Sequence, residues 1–251
     1  MKKIVAIGGG EIGGAGFSVE TGSIDQEIIR LSRKKNPRLL FIPTASGDSP
    51  GYVKDIENHF GKELGCKVDV LYLLKEKNSF EDYEEQVRLA DIIYVGGGNT
   101  LRMMKVWRRM GVDKLLIGAY EVGKVMCGVS AGAICWFRYG NSDSWKSKDP
   151  TKPLIKVKGL DIVNTLLCPH YNTEKDRKAE LKLMMQQTSG IAIALDNCCA
   201  IEIIDDNYRI VSSKLTANAH QTFWKKGKYF EKKLAKNMEY LPIRQLLEKS
   251  L

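Results

Sequence analysis

The cutting of this chain into short, unbroken apolar runs constrains its fold more than any other feature. Residues 4–7, 38–43, 68–74, 91–95 and 125–127 are rich in apolar residues without a polar alternation, and helical periodicity fills most of the gaps between them. A strand that is apolar on both faces is covered on both faces, so the pattern predicts a parallel sheet sandwiched between helices. Ile24, Ile28 and Leu31 mark the first helix, opened by capping-box spacing at residues 23–26, and Val53, Ile56, Phe60 and Leu64 mark the second. A short helix is expected around 83–90 and a longer one over 101–121, interrupted at Gly111. The lysine-rich stretch 140–158 has neither periodicity and reads as a long loop. Residues 166–170 look like a strand end, followed by a helix over 173–189 stopped at Gly190. Strands are expected at 191–195, 200–204 and 208–211, the last two joined by an Asp205-Asp206-Asn207 turn. The tail from 223 is basic, with a final helix at 243–247. No linker or repeat divides the chain, so one α/β domain over 1–251 is expected: a three-layer α/β/α sandwich with a mostly parallel sheet.

Composition removes several function classes. The chain has 251 residues, 43% of them hydrophobic and 27% charged, which suits a globular protein with a large core. No apolar run is long enough to span a bilayer, and the N-terminus runs directly into a strand and a glycine turn without a signal-peptide pattern. A cytoplasmic location without membrane partners is expected. Six cysteines (66, 127, 135, 168, 198 and 199) form no Cys-x-x-Cys pair and have no histidine at zinc-finger spacing, so they read as reduced structural thiols. The net charge of +9 lies in scattered runs at 33–35, 146–158 and 225–236. No helix-turn-helix, RNP or zinc module organises them, and nucleic acid is not an expected partner. Such charge also draws acidic substrates toward a cleft.

Chemistry concentrates at Gly128-Val129-Ser130-Ala131-Gly132. An apolar strand runs into a Gly-x-Ser-x-Gly turn and then into residues able to start a helix, the arrangement that lifts a serine hydroxyl off a sheet edge. Side chains at 128 and 132 would crowd the turn. The helix start behind Ser130 offers free N–H groups to a developing oxyanion. Ala131 supplies the first donor, and Gly97 or Gly98, in the loop 96–100 after another strand, the second. Asn99 of that loop is a candidate substrate contact as well as a helix cap. Both loops follow strand C-termini and can face one cleft.

A serine needs a base, and the chain offers three histidines. His59 falls within an amphipathic helix and reads as a surface or boundary residue; His220 precedes the basic tail. His170, after a buried run and Pro169, stands at a strand end where the cleft is expected, and is the choice. The acid that orients it is Asp143 or its rival Asp196, which the sequence does not separate. Gly8-x-Gly10-x-x-Gly13 matches the dinucleotide fingerprint by spacing alone: no helix opens at its third glycine, and no acid ends the second strand. It reads as a loop bordering the cleft.

Gly96-Gly97-Gly98-Asn99-Thr100, Gly128-x-Ser130-Ala131-Gly132-Ala133 and Pro169-His170-Tyr171, in that order, resemble the peptidase E family of dipeptidase E-type serine peptidases, to which cyanophycinase is related. The similarity runs from the first strand to about residue 204. It implies a flavodoxin-like fold akin to class I glutamine amidotransferases, Ser130 as nucleophile, His170 as base, and hydrolysis without metal or organic cofactor. The family's aspartate falls nearest Asp143. Cyanophycinase-like members carry an Asp-Glu pair near 196–197, where this chain has asparagine in second place. The resemblance also implies a small peptide substrate with N-terminal aspartate, held by a basic residue after the histidine. Arg177 is the candidate, since a guanidinium binds carboxylate bidentately. Alternatives are a cyanophycinase-like or isoaspartyl hydrolase, or a non-catalytic nucleotide- or ligand-binding protein; a homodimer is a candidate assembly.

Overall fold

The fold is described from a computed structural model, for residues 1–14, 16–75, 78–147, 149–173 and 176–249. In chain order the strands are β1 (Lys3–Ile7), β2 (Ile12–Gly14), β3 (Phe17–Val19), β4 (Arg38–Ile42), β5 (Lys67–Val70), β6 (Ile92–Val95), β7 (Val125–Val129), β8 (Phe137–Ser142), β9 (Ile155–Lys158), β10 (Val163–Cys168), β11 (Ile191–Leu195), β12 (Cys199–Ile204), β13 (Asn207–Ser212), β14 (Ala219–Lys225), β15 (Lys228–Lys233) and β16 (Leu241–Pro242). The helices are α1 (Gly22–Ser32), α2 (Pro50–Ile56), α3 (Phe80–Leu89), α4 (Thr100–Met110), α5 (Val112–Glu121), α6 (Ala131–Ile134), α7 (Arg177–Gln186) and α8 (Ile243–Leu247). None of the helices is long and apolar enough to cross a membrane, among the described residues.

One sheet has the order β16-β13-β12-β1-β7-β6-β4-β5. Its β1-β7-β6-β4-β5 block is parallel, and β12, β13 and β16 extend it antiparallel. Successive side chains of the block point to opposite faces, and both faces are buried. Ile4, Leu40, Ile93 and Met126 pack with Met103, Trp107 and Leu116 of α4 and α5. Val5, Leu39, Phe41, Tyr94 and Cys127 pack with Ile24, Ile28, Val53, Ile56 and Phe60 on the opposite side. These are the three expected layers. Gly111, at φ 75°, divides α4 from α5 as the sequence predicts.

A second sheet, β15-β14-β11-β10-β8-β9, is not foreseen by the sequence. The expected loop 140–158 contributes to it: β8 and β9 pair antiparallel, Ser142 opposite Ile155 and Tyr139 opposite Lys158. In β9 only Val157 is buried while Lys156 and Lys158 are exposed, so an edge strand with one covered face masquerades as a charged loop. The same holds for the tail, where β14 and β15 form a hairpin with Phe223 stacked on Phe230. The helix expected to run on to 137 is the single turn α6, because Phe137 already opens β8. Strand 68–74 stops at Val70; the Asp48 carboxylate accepts the N–H groups of Leu73, Leu74 and Lys75 and draws that segment off the ladder. The spacing at 23–26 caps nothing. α1 starts after Thr21, whose hydroxyl donates to Asp25 (2.7 Å), and Asp25 turns inward.

Candidate active site

β7 delivers the chain to Ser130 at φ 56°, ψ −110°, and α6 begins at the next residue. A side chain in such a region costs of order 1–3 kcal/mol and persists only where its surroundings over-determine it. They do so here. Ser130 N–H donates to the Ile7 carbonyl at 3.0 Å, and the Ala133 and Ile134 N–H groups return to the Ser130 carbonyl, both at 3.0 Å. A Cβ on Gly132 would stand 2.0 Å from the Val95 carbonyl oxygen, and one on Gly128 2.6 Å from the same atom. The turn closes against β6 only with glycine at both places.

His170 follows the end of β10 at Pro169 and is also held at positive φ, 138°. The Ser130 hydroxyl lies 2.6 Å from its Nε2. Its Nδ1 lies 2.8 Å from Oδ1 of Asn197, in the bend between β11 and β12. An amide oxygen can only accept, so the proton sits on Nδ1 and the Nε2 lone pair faces the serine. The His170–Asn197 bond runs directly beneath Gly9: a Cβ there would be 2.1 Å from Asn197 Oδ1 and 2.4 Å from His170 Nδ1. Asn172 fixes the bend, its Oδ1 accepting from Asn197 N–H at 3.0 Å. The first glycine loop thus belongs to this site and carries no dinucleotide helix; β2 and β3 follow it instead.

The other candidates make different contacts. Asp143 is exposed on the turn beyond β8, which buries Asn141 and Ser142, and the His170 Nδ1 meets Asn197 instead. Asp196 is buried, but its carboxylate turns back to accept from Asn218 N–H at 2.8 Å. Arg177 is 1% exposed, with Nη1 donating to the Asn141 carbonyl at 2.9 Å and to its Oδ1 at 3.2 Å, so the guanidinium ties α7 to β8 and does not reach out to a ligand. Asn99 is the N-cap of α4, accepting from Arg102 N–H at 2.9 Å, and its amide donates to the Ser144 carbonyl (2.9 Å) and the Ser147 hydroxyl (3.1 Å). It shapes the loop before it meets any substrate. His59 is no surface residue; it is buried between Asp25 and Glu63, 2.9 Å from each. His220 lies within β14, 4.0 Å from Glu231, and burial lowers its basicity.

Beside Ser130 is a cavity of about 510 Å³, lined by Ala45, Ser46, Gly98, Asn99, Arg102, Ser130, Asp143, Ser144, Lys146 and Ser147. The 96–100 loop and the elbow therefore face one cleft. Ala131 N–H and Gly98 N–H have no acceptor among the described residues, whereas Gly97 N–H donates to the Tyr52 hydroxyl at 3.3 Å. Burial, with the carboxylates of Glu11, Asp25 and Asp55, pushes the Tyr52 phenol up to about 12, so it stays neutral and keeps a proton to donate. Sequence reasoning missed Asn197, Asn172 and Tyr52. Only Asn197 left a signal, its place beside the rival Asp196.

A serine on a strand–helix elbow at the end of β7, with an imidazole from beyond β10 of the second sheet in hydrogen-bond contact, defines the class of serine hydrolases. The chain belongs to peptidase family S51, whose family model matches residues 4–211, and it is a serine-type peptidase. It is 39% identical over 225 residues to the Bacillus subtilis (strain 168) protein named Uncharacterized peptidase YgaJ, covering 88% of this chain and 92% of that one. Uncharacterized peptidase Lmo0363 of Listeria monocytogenes is 28% identical over 159 residues, 62% of this chain and 76% of the relative. Among solved structures, a peptidase from an acI-B1 Actinobacterium superposes with a TM-score of 0.72 at 20% identity, over 96% of this chain and 97% of the other. A peptidase E-type protein of Listeria monocytogenes EGD-e does so at 0.63 and 24%, over 84% and 98%. Both share the fold.

Proposed function

We propose that this peptidase cleaves short peptides through an acyl-enzyme formed on Ser130, with His170 as general base and Asn197 as the residue that holds the imidazole. The observation that carries the reading is the continuous chain Ser130 Oγ–His170 Nε2 (2.6 Å) and His170 Nδ1–Asn197 Oδ1 (2.8 Å). His170 takes the hydroxyl proton as Oγ attacks the peptide carbonyl. Ala131 and Gly98 N–H groups hold the resulting oxyanion. The protonated imidazole then gives its proton to the leaving amine, and water repeats the sequence to free the acid. Substrates of the Asp-Xaa type follow from kinship with dipeptidase E-type enzymes, and the small cavity suits one acyl residue better than a long chain. The six cysteines are free and buried, which suits a reducing compartment such as the cytoplasm.

Ser130→Ala tests the reading. It should cost at least about 10⁴-fold in kcat/KM with an unchanged melting curve. A wild-type rate in that variant refutes the mechanism.

A further inference from the structure

We infer that Tyr52 is a positioning residue of the oxyanion site, its hydroxyl fixing the 96–98 loop in the arrangement that leaves the Gly98 N–H open to the cleft beside Ser130. The inference rests on the serine-peptidase reading above and concerns how that site is kept ready for the transition state.

Gly96, Gly97 and Gly98 are consecutive, so no side chain of their own selects a conformation for this loop. Its shape comes from the groups it binds. Gly96 N–H donates to the Ile42 carbonyl at 3.2 Å and Asn99 N–H to the Ala45 carbonyl at 2.9 Å, fastening the two ends to β4 and the turn after it. Between them, Gly97 N–H donates to the Tyr52 hydroxyl at 3.3 Å. Of these four successive N–H groups only that of Gly98 has no acceptor among the described residues, and Gly98 lines the cavity together with Ser130. The scaffold thus takes up every donor of the loop except the one an oxyanion needs.

Two of these anchors are backbone carbonyls; the middle one is a side chain, and it holds the part of the loop nearest the nucleophile. A Cβ on Gly97 would stand 3.5 Å from Ser130 Cβ. The Tyr52 ring is itself fixed. It meets Phe41 edge-on with centroids 5.1 Å apart, and a Cβ on Gly96 would be 2.9 Å from Tyr52 Cε1 and 3.1 Å from Phe41 Cε2, so glycine lets the loop lie against both rings. Burial keeps the phenol protonated throughout the neutral range, so the acceptor offered to Gly97 does not change with pH there. Tyr52 is not on the wall of the cavity, and it acts through Gly97 and Gly98 rather than on substrate. Without its hydroxyl, Gly97 keeps neither a side chain nor a partner, and the adjoining Gly98 N–H moves with it. A misplacement of about 1 Å can cost ~100-fold in rate, and an oxyanion donor acts on the transition state more than on the bound substrate.

The test compares the full-length wild type, Tyr52→Phe and Val53→Ala. It measures kcat and KM on Asp-Leu and Ala-Leu, and the rate at which a fluorophosphonate, whose phosphoryl oxygen takes the oxyanion's place, labels Ser130. Tyr52→Phe keeps the ring and removes only the acceptor. It should lower kcat by roughly 10- to 100-fold with KM within about 3-fold, and slow labelling by a similar factor. Both limbs of the pH–rate profile should stay in place. Val53→Ala loosens the buried side of α2 and keeps the hydroxyl, so its kcat should stay within about 3-fold of wild type. A wild-type kcat in Tyr52→Phe, a loss carried by KM, a displaced pH limb, or an equal fall in Val53→Ala overturns the assignment. If wild type is labelled and cleaves peptide while Tyr52→Phe matches it, this inference fails and the peptidase reading stands. If wild-type Ser130 takes no label and neither peptide is cleaved, both fail.

Discussion

Two histidines in this protein each sit between two hydrogen-bonding partners, and their surroundings give them opposite chemistry. His59 is buried, in the π-helical turn Glu57–Glu63 that continues α2, and contacts the carboxylates of Asp25 and Glu63. Burial alone would lower its basicity, but the two carboxylates outweigh burial and raise it above 6.5. His59 thus clips α1 to the turn after α2 by bridging the two carboxylates. His170 has the Ser130 hydroxyl at one ring nitrogen and the Asn197 amide oxygen at the other. Its Nε2 meets the Ser130 hydroxyl, where a general base is needed. Two carboxylates pin His59 between packed elements, whereas the amide oxygen at Nδ1 of His170 turns its other nitrogen toward the serine.

The sharpest break in this comparison is removal of the nucleophile: Ser130→Ala should abolish turnover, whereas His59→Leu should leave kcat/KM nearly unchanged in folded protein. The next effect is on stability. His59→Leu leaves buried Asp25 without its imidazole partner and should cost about 3–5 kcal/mol in urea unfolding. The sign of the pH dependence follows from the raised basicity. His59 stabilises the fold fully below its unfolded value of about 6.5, and that contribution is lost as pH rises through the higher folded value. The wild-type urea midpoint should therefore decline on the alkaline side, and in His59→Gln this part of the decline should vanish. A slope that survives the substitution places the titrating group elsewhere.

Asn197 sharpens the other half. Asn197→Ala releases the Nδ1 proton and should lower kcat/KM by roughly 10- to 100-fold, while Asp143→Ala, which leaves the ring's partners in place, should fall well short of that. Asn197→Asp puts a carboxylate behind the imidazole, in the manner of His59. The acid limb of the pH–rate profile should move up by about one unit, and an unmoved limb would dissociate Asn197 from the base. The smallest effect is on the loop that shapes the cleft. Asn99→Ala removes the α4 cap and should cost about 1 kcal/mol, roughly 2–4 °C in Tm.

The parallel block was legible because its strands are buried on both faces and leave unbroken apolar runs, as in the Ile92–Val95 strand with all four residues buried. The elbow was legible because its geometry demands glycine at 128 and 132. The second sheet was not, since Lys156, Lys158, Lys228 and Lys233 give its margins the composition of loops. Arg177 misled for a related reason: charge in a sequence suggests exposure, and this one is buried and donates to a carbonyl and an amide oxygen of Asn141.

By itself the sequence determined which serine stands on the turn and which histidine follows a strand end, because local backbone requirements and burial periodicity are written in adjacent residues. Only the tertiary structure decided what stands behind the imidazole. Asp143 and Asp196 were the candidates in the pattern and Asn197 was not, and which residue meets the ring depends on how β8, β11 and the loop after β1 converge. Distances between segments that meet only on folding are set by packing, which no local pattern records.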